Sequence, residues 1–370
     1  HPLQDAFVKY GAVQCGFCIP GQIMTSYALL GSNPKPNDDE IKYALKDTLC
    51  RCAGYPSIIG AIQAASENIT LGKPIQMPEI DIAHDSRRIV GQAYQRPDAI
   101  DKVTGKAIYS DDIRFEGMAY ARVKRAMIPS AILLSVDVKK AQALPGVIAV
   151  LTSQDLTSEK VHGLVIKDWP VMVSPGEKIR YVGDAIAIVA AETREIASDA
   201  LKLIDFEYQL LPIISDPVTA HQKNANSIHP DGNLLKHIKV RKGSVETGFE
   251  KSDIVLEETF HTNPNDHAFL EPECTIARIT DSDRVEIYVG SQIPYADREQ
   301  VASVLGIPES QVRIIGQLIG GGFGGKEDIA GQIHAALLAK DTGRPIKLLF
   351  DRQESLIVHP KRHATQIKIK

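Results

Sequence analysis

The spacing of apolar residues changes character along this chain. Over roughly the first 70 positions they recur every three to four residues, the period of one helix face. In "PGQIMTSYALLG", Pro20 stands where a first helical turn accepts it and Gly31 where a helix can stop. "NPKPNDDEIKYALKDTL" offers Asn37 as an N-cap with Glu40 three positions later, then Ile41, Ala44, Leu45, Thr48 and Leu49 on one face. "PSIIGAIQAASENI" repeats the pattern with Ile58, Ile59, Ile62, Ala65 and Ile69. Short helices of this kind bury little, and a metal linking them would offset the shortage. Residues 73–90 carry prolines and charges without a period and read as a linker.

From about residue 91 the texture becomes α/β. "MAYARVKRA", "GVIAVLT", "DAIAIVAAET" and "DFEYQLLPII" have the alternation or short apolar runs of strands, with a helical "REIASDALKLI" before the last. A polar break at 216–233 is followed by strand patterns in "VLEETFHT", "ECTIARIT" and "RVEIYVGS". Then come a helix "YADREQVASVLG", a strand "VRIIG", a glycine cluster, a helix "EDIAGQIHAALLAK" and a strand "PIKLLFD". "ATQIKIK" alternates like a strand cut short.

Composition narrows the classes. The 370 residues hold 42 basic and 46 acidic side chains and no basic run, so a nucleic-acid partner is not expected. No apolar stretch reaches the ~18 residues that span a bilayer, so no membrane partner is expected either. "HPLQDAFVKY" lacks the features of a secretory signal, which points to the cytoplasm. It also lacks an initiator Met and opens mid-pattern, so further sequence is expected upstream. Five cysteines are too sparse for a disulfide scaffold, and four lie within the first 52 residues, which suggests a metal.

Those four form Cys-x2-Cys, 31 residues, Cys-x-Cys: Cys15, Cys18, Cys50 and Cys52. Gly16 lets the chain bend so that two thiolates face one centre, and Gly54 and Pro56 turn it back after the second pair. Four thiolates suit a 2Fe–2S cluster or tetrahedral zinc, and the spacing leaves both open. Cys274, alone in a strand pattern, reads as a small core residue.

"QCGFCIPGQIM…CRCAGYPSIIGAI" resembles the second 2Fe–2S domain of the xanthine dehydrogenase and aldehyde oxidoreductase family of molybdenum hydroxylases, over residues 1–70 and including the 31-residue gap. The resemblance implies a 2Fe–2S cluster that conducts electrons beside a molybdopterin, with Gln14 touching the pterin.

"GGGFGGKE" at 320–327 admits several readings. Gly320, Gly325 and Lys326 nearly complete a phosphate loop, but Glu327 stands where Ser or Thr should bind magnesium. Gly320, Gly322 and Gly325 also satisfy G-x-G-x-x-G, with Asp351 26 residues further on, although Gln317 to Gly320 separate the run from its strand. A plain glycine-rich turn is a third reading. The run is also similar to the molybdenum-site loop of the same family. "AYARVKRAMIPSAILLSVDVKKAQALPGVIAVLTSQDL" and "EKIRYVGDAIAIVAAET" resemble its α/β hammerhead domain; "NDHAFLEPECTIARI" and "VGSQIPYADREQVASVLGIP" resemble the start of its molybdopterin domain.

The resemblance implies a multidomain fold. An all-α 2Fe–2S domain of the short four-helix bundle type (1–72) and the linker precede an α+β hammerhead domain (91–218) and the N-terminal part of a molybdopterin-binding domain (219–370). It places Gln292, Gly322, Phe323 and Gly324 against the cofactor, with Gln292 and Glu327 catalytic, and Phe323 stacking on substrate. Glu327 matches a carboxylate that contacts substrate in purine-oxidising members; read from the residues alone, it is a helix-start acid. The implied reaction is molybdenum-dependent hydroxylation of a purine or related N-heterocycle. An aldehyde oxidoreductase is the alternative, and a non-catalytic electron-transfer or assembly subunit is the alternative of another class. No FAD module fits between the first two domains, so an electron acceptor or flavin subunit is expected on another chain. So is the rest of the molybdopterin domain, and a homo-oligomer is expected. His267 and Glu271, at helical spacing, read as loop residues because Pro272 follows; His359 and His363 read as a solvated surface or a contact with whatever follows, and Trp169 as a packing residue.

Overall fold

Asn37 caps the Asp38–Ala44 helix as its spacing predicts: its side chain accepts the N–H groups of Asp39 and Glu40, and Glu40 accepts the Asn37 N–H in return. This computed structural model describes residues 1–78 and 94–370, so most of the expected linker lies outside the described residues. The first region contains helices Pro2–Lys9, Ile19–Ser32, Asp38–Ala44 and Tyr55–Leu71, with a short 3-10 turn at Leu45–Asp47. Pro20 lies in the first turn of its helix, but the helix passes Gly31 and ends at Ser32. Gly72, at φ +70°, ends the last helix in the left-handed conformation that glycine adopts without strain.

Leu3, Phe7, Ile19, Ile41, Ile58, Ile62 and Ala65 make the core here, while Leu49 and Ile69 are exposed because the third helix stops early and the fourth runs past the core. Burying one such Leu, Ile or Phe side chain contributes about 1.5–3 kcal/mol. Ala99 and Val103, from the later helix Ala99–Thr104, complete this core, so the chain returns to it after residue 94.

A seven-stranded mixed sheet organises the remainder. Its spatial order is Val312–Gly316, Val285–Val289, Cys274–Ile279, Ile346–Leu349, Ala119–Arg125, Ala185–Ala191 and Val147–Thr152. The centre joins two distant parts of the sequence: Ala119 pairs in parallel with Ile346, and Ala121 with Leu348. Ala185–Ala191 is buried at every position, consistent with its unbroken apolar run. Helix Gln332–Thr342 covers one face through Ile333, Ala335, Ala336, Leu338 and Ala339. Ala131–Asp137 pairs with Asp205–Leu210 and Lys178–Ile179 in a smaller sheet, and Thr365–Ile369 pairs antiparallel with Glu258–Thr262.

Two further sequence expectations need correction. The predicted "EDIAG…" helix starts only at Gln332, so Glu327 is not a helix-start acid. His359 is buried against the Glu273 carboxylate rather than solvated, and burial lowers it to about 3; only His363 is exposed. Cys274 is buried in its strand as expected. Trp169 packs between the rings of His162 and Tyr181.

Candidate cofactor site

Gly16 turns the first cysteine pair. It sits at φ +91°, and a Cβ there would meet Lys102 Cδ at 2.5 Å and the Tyr109 hydroxyl at 2.7 Å. The second pair lies on the turn between the third and fourth helices, where Ala53 takes a left-handed φ of +57°. Cys50 is buried; Cys15, Cys18 and Cys52 are half-buried.

The four thiols meet in two pairs, Cys15 with Cys52 and Cys18 with Cys50, and each pair feels the charge of the other. Burial pushes the Cys15 thiol up to about 11. The hydrogen bond between Cys18 and Cys50 raises Cys18 and lowers Cys50 to about 6, helped by N–H groups of Gly54, Cys52 and Ala53. The Gly54 N–H donates to Cys50 Sγ at 3.5 Å. Two pairs of facing sulfurs, unable to ionise together without a positive partner, fit a binuclear iron centre with two thiolates on each iron.

The glycine loop follows strand Val312–Gly316 after a short connector. Gly321, Phe323 and Gly324 have φ of +94°, +55° and +89°. Close neighbours leave no room for side chains: a Cβ on Gly320 would lie 2.3 Å from Glu271 Cβ, and one on Gly322 would lie 2.3 Å from Gln292 Oε1. Gln292 is tied into the loop, since its Oε1 accepts the N–H groups of Gly324 and Lys326 at 3.2 Å each. Gly321 and Gly322 are buried, and the N–H groups of Gly321, Gly322 and Phe323 have no partner among the described residues. Buried main-chain donors seldom go unpaired. Two in succession at Gly321 and Gly322, with the N–H of exposed Phe323 beside them, fit an anionic group such as a phosphorylated pterin.

Lys326 does not serve as a phosphate-loop lysine. Its Nζ is buried 2.6 Å from Glu271 Oε2, which also accepts the Gly320 N–H at 2.6 Å. His267 and Glu271 lie on a loop, as Pro272 suggested, and Glu271 braces the glycine run from behind. Asp351 caps helix Arg352–Val358 and binds Arg122, so it is spent on structure.

The structure brings the two motifs together. The ring of Phe17, between Cys15 and Cys18, packs so near Gly320 that a Cβ there would touch it at 2.8 Å. Tyr109 donates its hydroxyl to Cys15 O at 2.8 Å, stacks edge-on against Phe17 and bridges to Leu318. Arg51, between Cys50 and Cys52, donates to the carbonyls of His267 and Asp266 at 2.8 and 3.2 Å. Gln14, Gln292, Phe323 and Glu327 are all exposed at or beside this joint. Two cavities of about 810 Å³ lie elsewhere, one lined by Leu29, Asn37 and Tyr43, the other by Trp169, Tyr181 and His359. Sequence reasoning missed Tyr109, Glu271 and Lys102 as supports; Arg51 alone carried a hint, its place between two cysteines.

Thiols paired two by two beside a glycine loop rich in free N–H donors define a redox protein whose iron–sulfur region abuts an anion-holding loop. Comparison with known proteins gives the same class by another route. Residues 1–63 match the [2Fe-2S] binding domain. Residues 104–212 match the aldehyde oxidase and xanthine dehydrogenase a/b hammerhead domain. Residues 228–370 match the molybdopterin cofactor-binding domain. A probable xanthine dehydrogenase subunit from Bacillus subtilis (strain 168) is 43% identical over 275 residues, covering 74% of this chain and 37% of that protein. The nicotinate dehydrogenase large molybdopterin subunit of Eubacterium barkeri is 38% identical over 278 residues, covering 75% of this chain and 64% of that protein. The solved aldehyde oxidoreductase from Desulfovibrio gigas superposes with a TM-score of 0.90 at 26% identity, covering all of this chain and 42% of that one. The chain thus spans less than two thirds of each. It belongs to the molybdenum hydroxylase family of xanthine dehydrogenases and aldehyde oxidoreductases.

Proposed function

We propose that this chain joins the 2Fe–2S cluster to the molybdopterin in an enzyme that hydroxylates a purine or related N-heterocycle. The observation that carries this reading is the contact of the cysteine turn with the glycine loop, Phe17 against Gly320. That contact would hold the cluster's ligands next to the loop that would receive the pterin. The net reaction is RH + H2O → ROH + 2e⁻ + 2H⁺. Molybdopterin supplies the two-electron chemistry, and the cluster the one-electron steps.

The chain's own residues position these groups. Cys15, Cys18, Cys50 and Cys52 would hold the cluster, and exposed Gln14, next to them in the chain, would contact the pterin. The loop N–H groups of 321–323 receive the anionic cofactor. Gln292, whose oxygen is anchored by Gly324 and Lys326, keeps its amide N–H2 for the cofactor. Phe323, 48% exposed at the loop tip, would stack on a substrate ring, and the Gly324 main chain would help hold the molybdenum cofactor. Exposed Glu327 accepts a hydrogen bond from a heterocycle N–H, which an aldehyde lacks.

The helical region reads as a short bundle, and the division into 1–72, 91–218 and 219–370 follows the same assignment. A flavin subunit or other acceptor on another chain, a self-associated assembly and a cytoplasmic location complete the reading. No helix among the described residues is long and apolar enough to cross a membrane. The test is Glu327→Gln in the complete enzyme: hypoxanthine turnover falls at least tenfold while benzaldehyde turnover holds. Equal rates on the purine before and after substitution favour the aldehyde oxidoreductase reading, which the full-length superposition on such an enzyme also supports.

A further inference from the structure

Lys102 is a lysine almost without solvent, its side chain 2% exposed. It lies between the stretches matched by the 2Fe–2S and hammerhead families, at 1–63 and 104–212, and belongs to neither. Its stem crosses Gly16, and its Nζ donates to Gln14 O at 3.0 Å and to Asp98 Oδ2 at 2.7 Å. Asp98 is also bound by Arg96. Arg96, ahead of Lys102, holds the Asp98 carboxyl down at about 2, so the carboxylate is ionised between its two basic partners. Two cations share one carboxylate, which leaves one net positive charge against the cysteine turn. A buried lysine is rare unless it is paired, and here Lys102 shares its only carboxylate partner with Arg96.

We propose that Lys102 sets the reduction potential of the 2Fe–2S cluster. The proposal rests on the reading of the cysteine quartet as that cluster's seat. Reduction adds one electron to the centre. A cation held within a poorly screened turn next to Cys15 favours the reduced form. The role does not require Lys102 to touch the cluster: it positions charge through the Gln14–Gly16 backbone. Lys102 also ties that turn to the Ala99–Thr104 helix, so a merely structural role is the rival to be separated from it.

The experiment is an EPR-monitored redox titration of the complete holoenzyme. The signal followed is the one that disappears in Cys18→Ser. Lys102→Met keeps the stem over Gly16 and removes the charge; the reduction equilibrium shifts at least tenfold toward the oxidised form, ~59 mV lower for one electron. Asp98→Asn breaks the same salt bridge but unmasks the cation, so the potential rises. Lys102→Arg restores the wild-type value. Shifts of the same sign in Lys102→Met and Asp98→Asn show a loosened turn and overturn the proposal. Unchanged potentials overturn it as well. If Lys102→Met takes up no cluster, the rise in Asp98→Asn decides alone. Absence of any such signal from the wild-type enzyme sinks the cluster reading itself, a result distinct from a cluster whose potential ignores Lys102.

Discussion

The cysteine turns and the glycine loop lie in contact, yet they offer donors by opposite means. In the turns the side chains do the binding, and the backbone only bends to aim them, as at Gly16 and Ala53. In the loop the side chains have been removed so that the main chain can bind, and the neighbours Glu271 and Gln292 fill the vacated space. The first design tolerates little change in side-chain chemistry. The second tolerates little change in side-chain volume.

Three substitutions probe that contrast. Cys18→Ser has the largest expected effect: one soft ligand of four is lost, and with it the visible absorption and the iron of this cluster. The first region has a small core, so its unfolding midpoint in urea falls as well. Full iron content in Cys18→Ser breaks the assignment. Gly320→Ala comes next. Its Cβ would lie 2.3 Å from Glu271 Cβ, a clash with a packed stem, for which overpacking costs about 1–3 kcal/mol. Molybdopterin content drops while cluster iron stays. Loss of both cofactors together shows that the two regions do not bind independently. Arg51→Ala has the smallest effect. It removes the guanidinium hydrogen bonds to the carbonyls of Asp266 and His267, worth about 1 kcal/mol at an exposed joint. Cofactor contents stay unchanged, and the urea midpoint shifts slightly. No shift at all assigns the joint to Phe17 and Tyr109 instead.

Much of this was legible in the sequence for a physical reason. Cys-x2-Cys and Cys-x-Cys announce themselves because ligand chemistry resides in residue type. The Asn37 cap and the Ala185–Ala191 strand were legible because they are local. Other features depend on distant partners. Glu271 and Lys326 neutralise each other across 55 residues of chain, and Tyr109 reaches the carbonyl of Cys15 across 94. His359 looked solvated among basic neighbours, but its partner Glu273 comes from the loop just before strand Cys274–Ile279. The helix expected from Glu327 onward failed at its start, because the loop's close contacts hold 320–331 out of helical geometry and postpone the first turn to Gln332.

The seven-stranded sheet has a practical meaning for anyone who would dissect this protein. Strand Ala119–Arg125 lies between Ile346–Leu349 and Ala185–Ala191, partners drawn from either side of the gap at 213–227 where two family matches part. A gene cut in that gap would not yield two self-sufficient pieces. Each would carry a bare strand edge, an invitation to stick to its own copies. A protease nick at the same place would go almost unnoticed, because the hydrogen-bonded ladder would keep both pieces clasped.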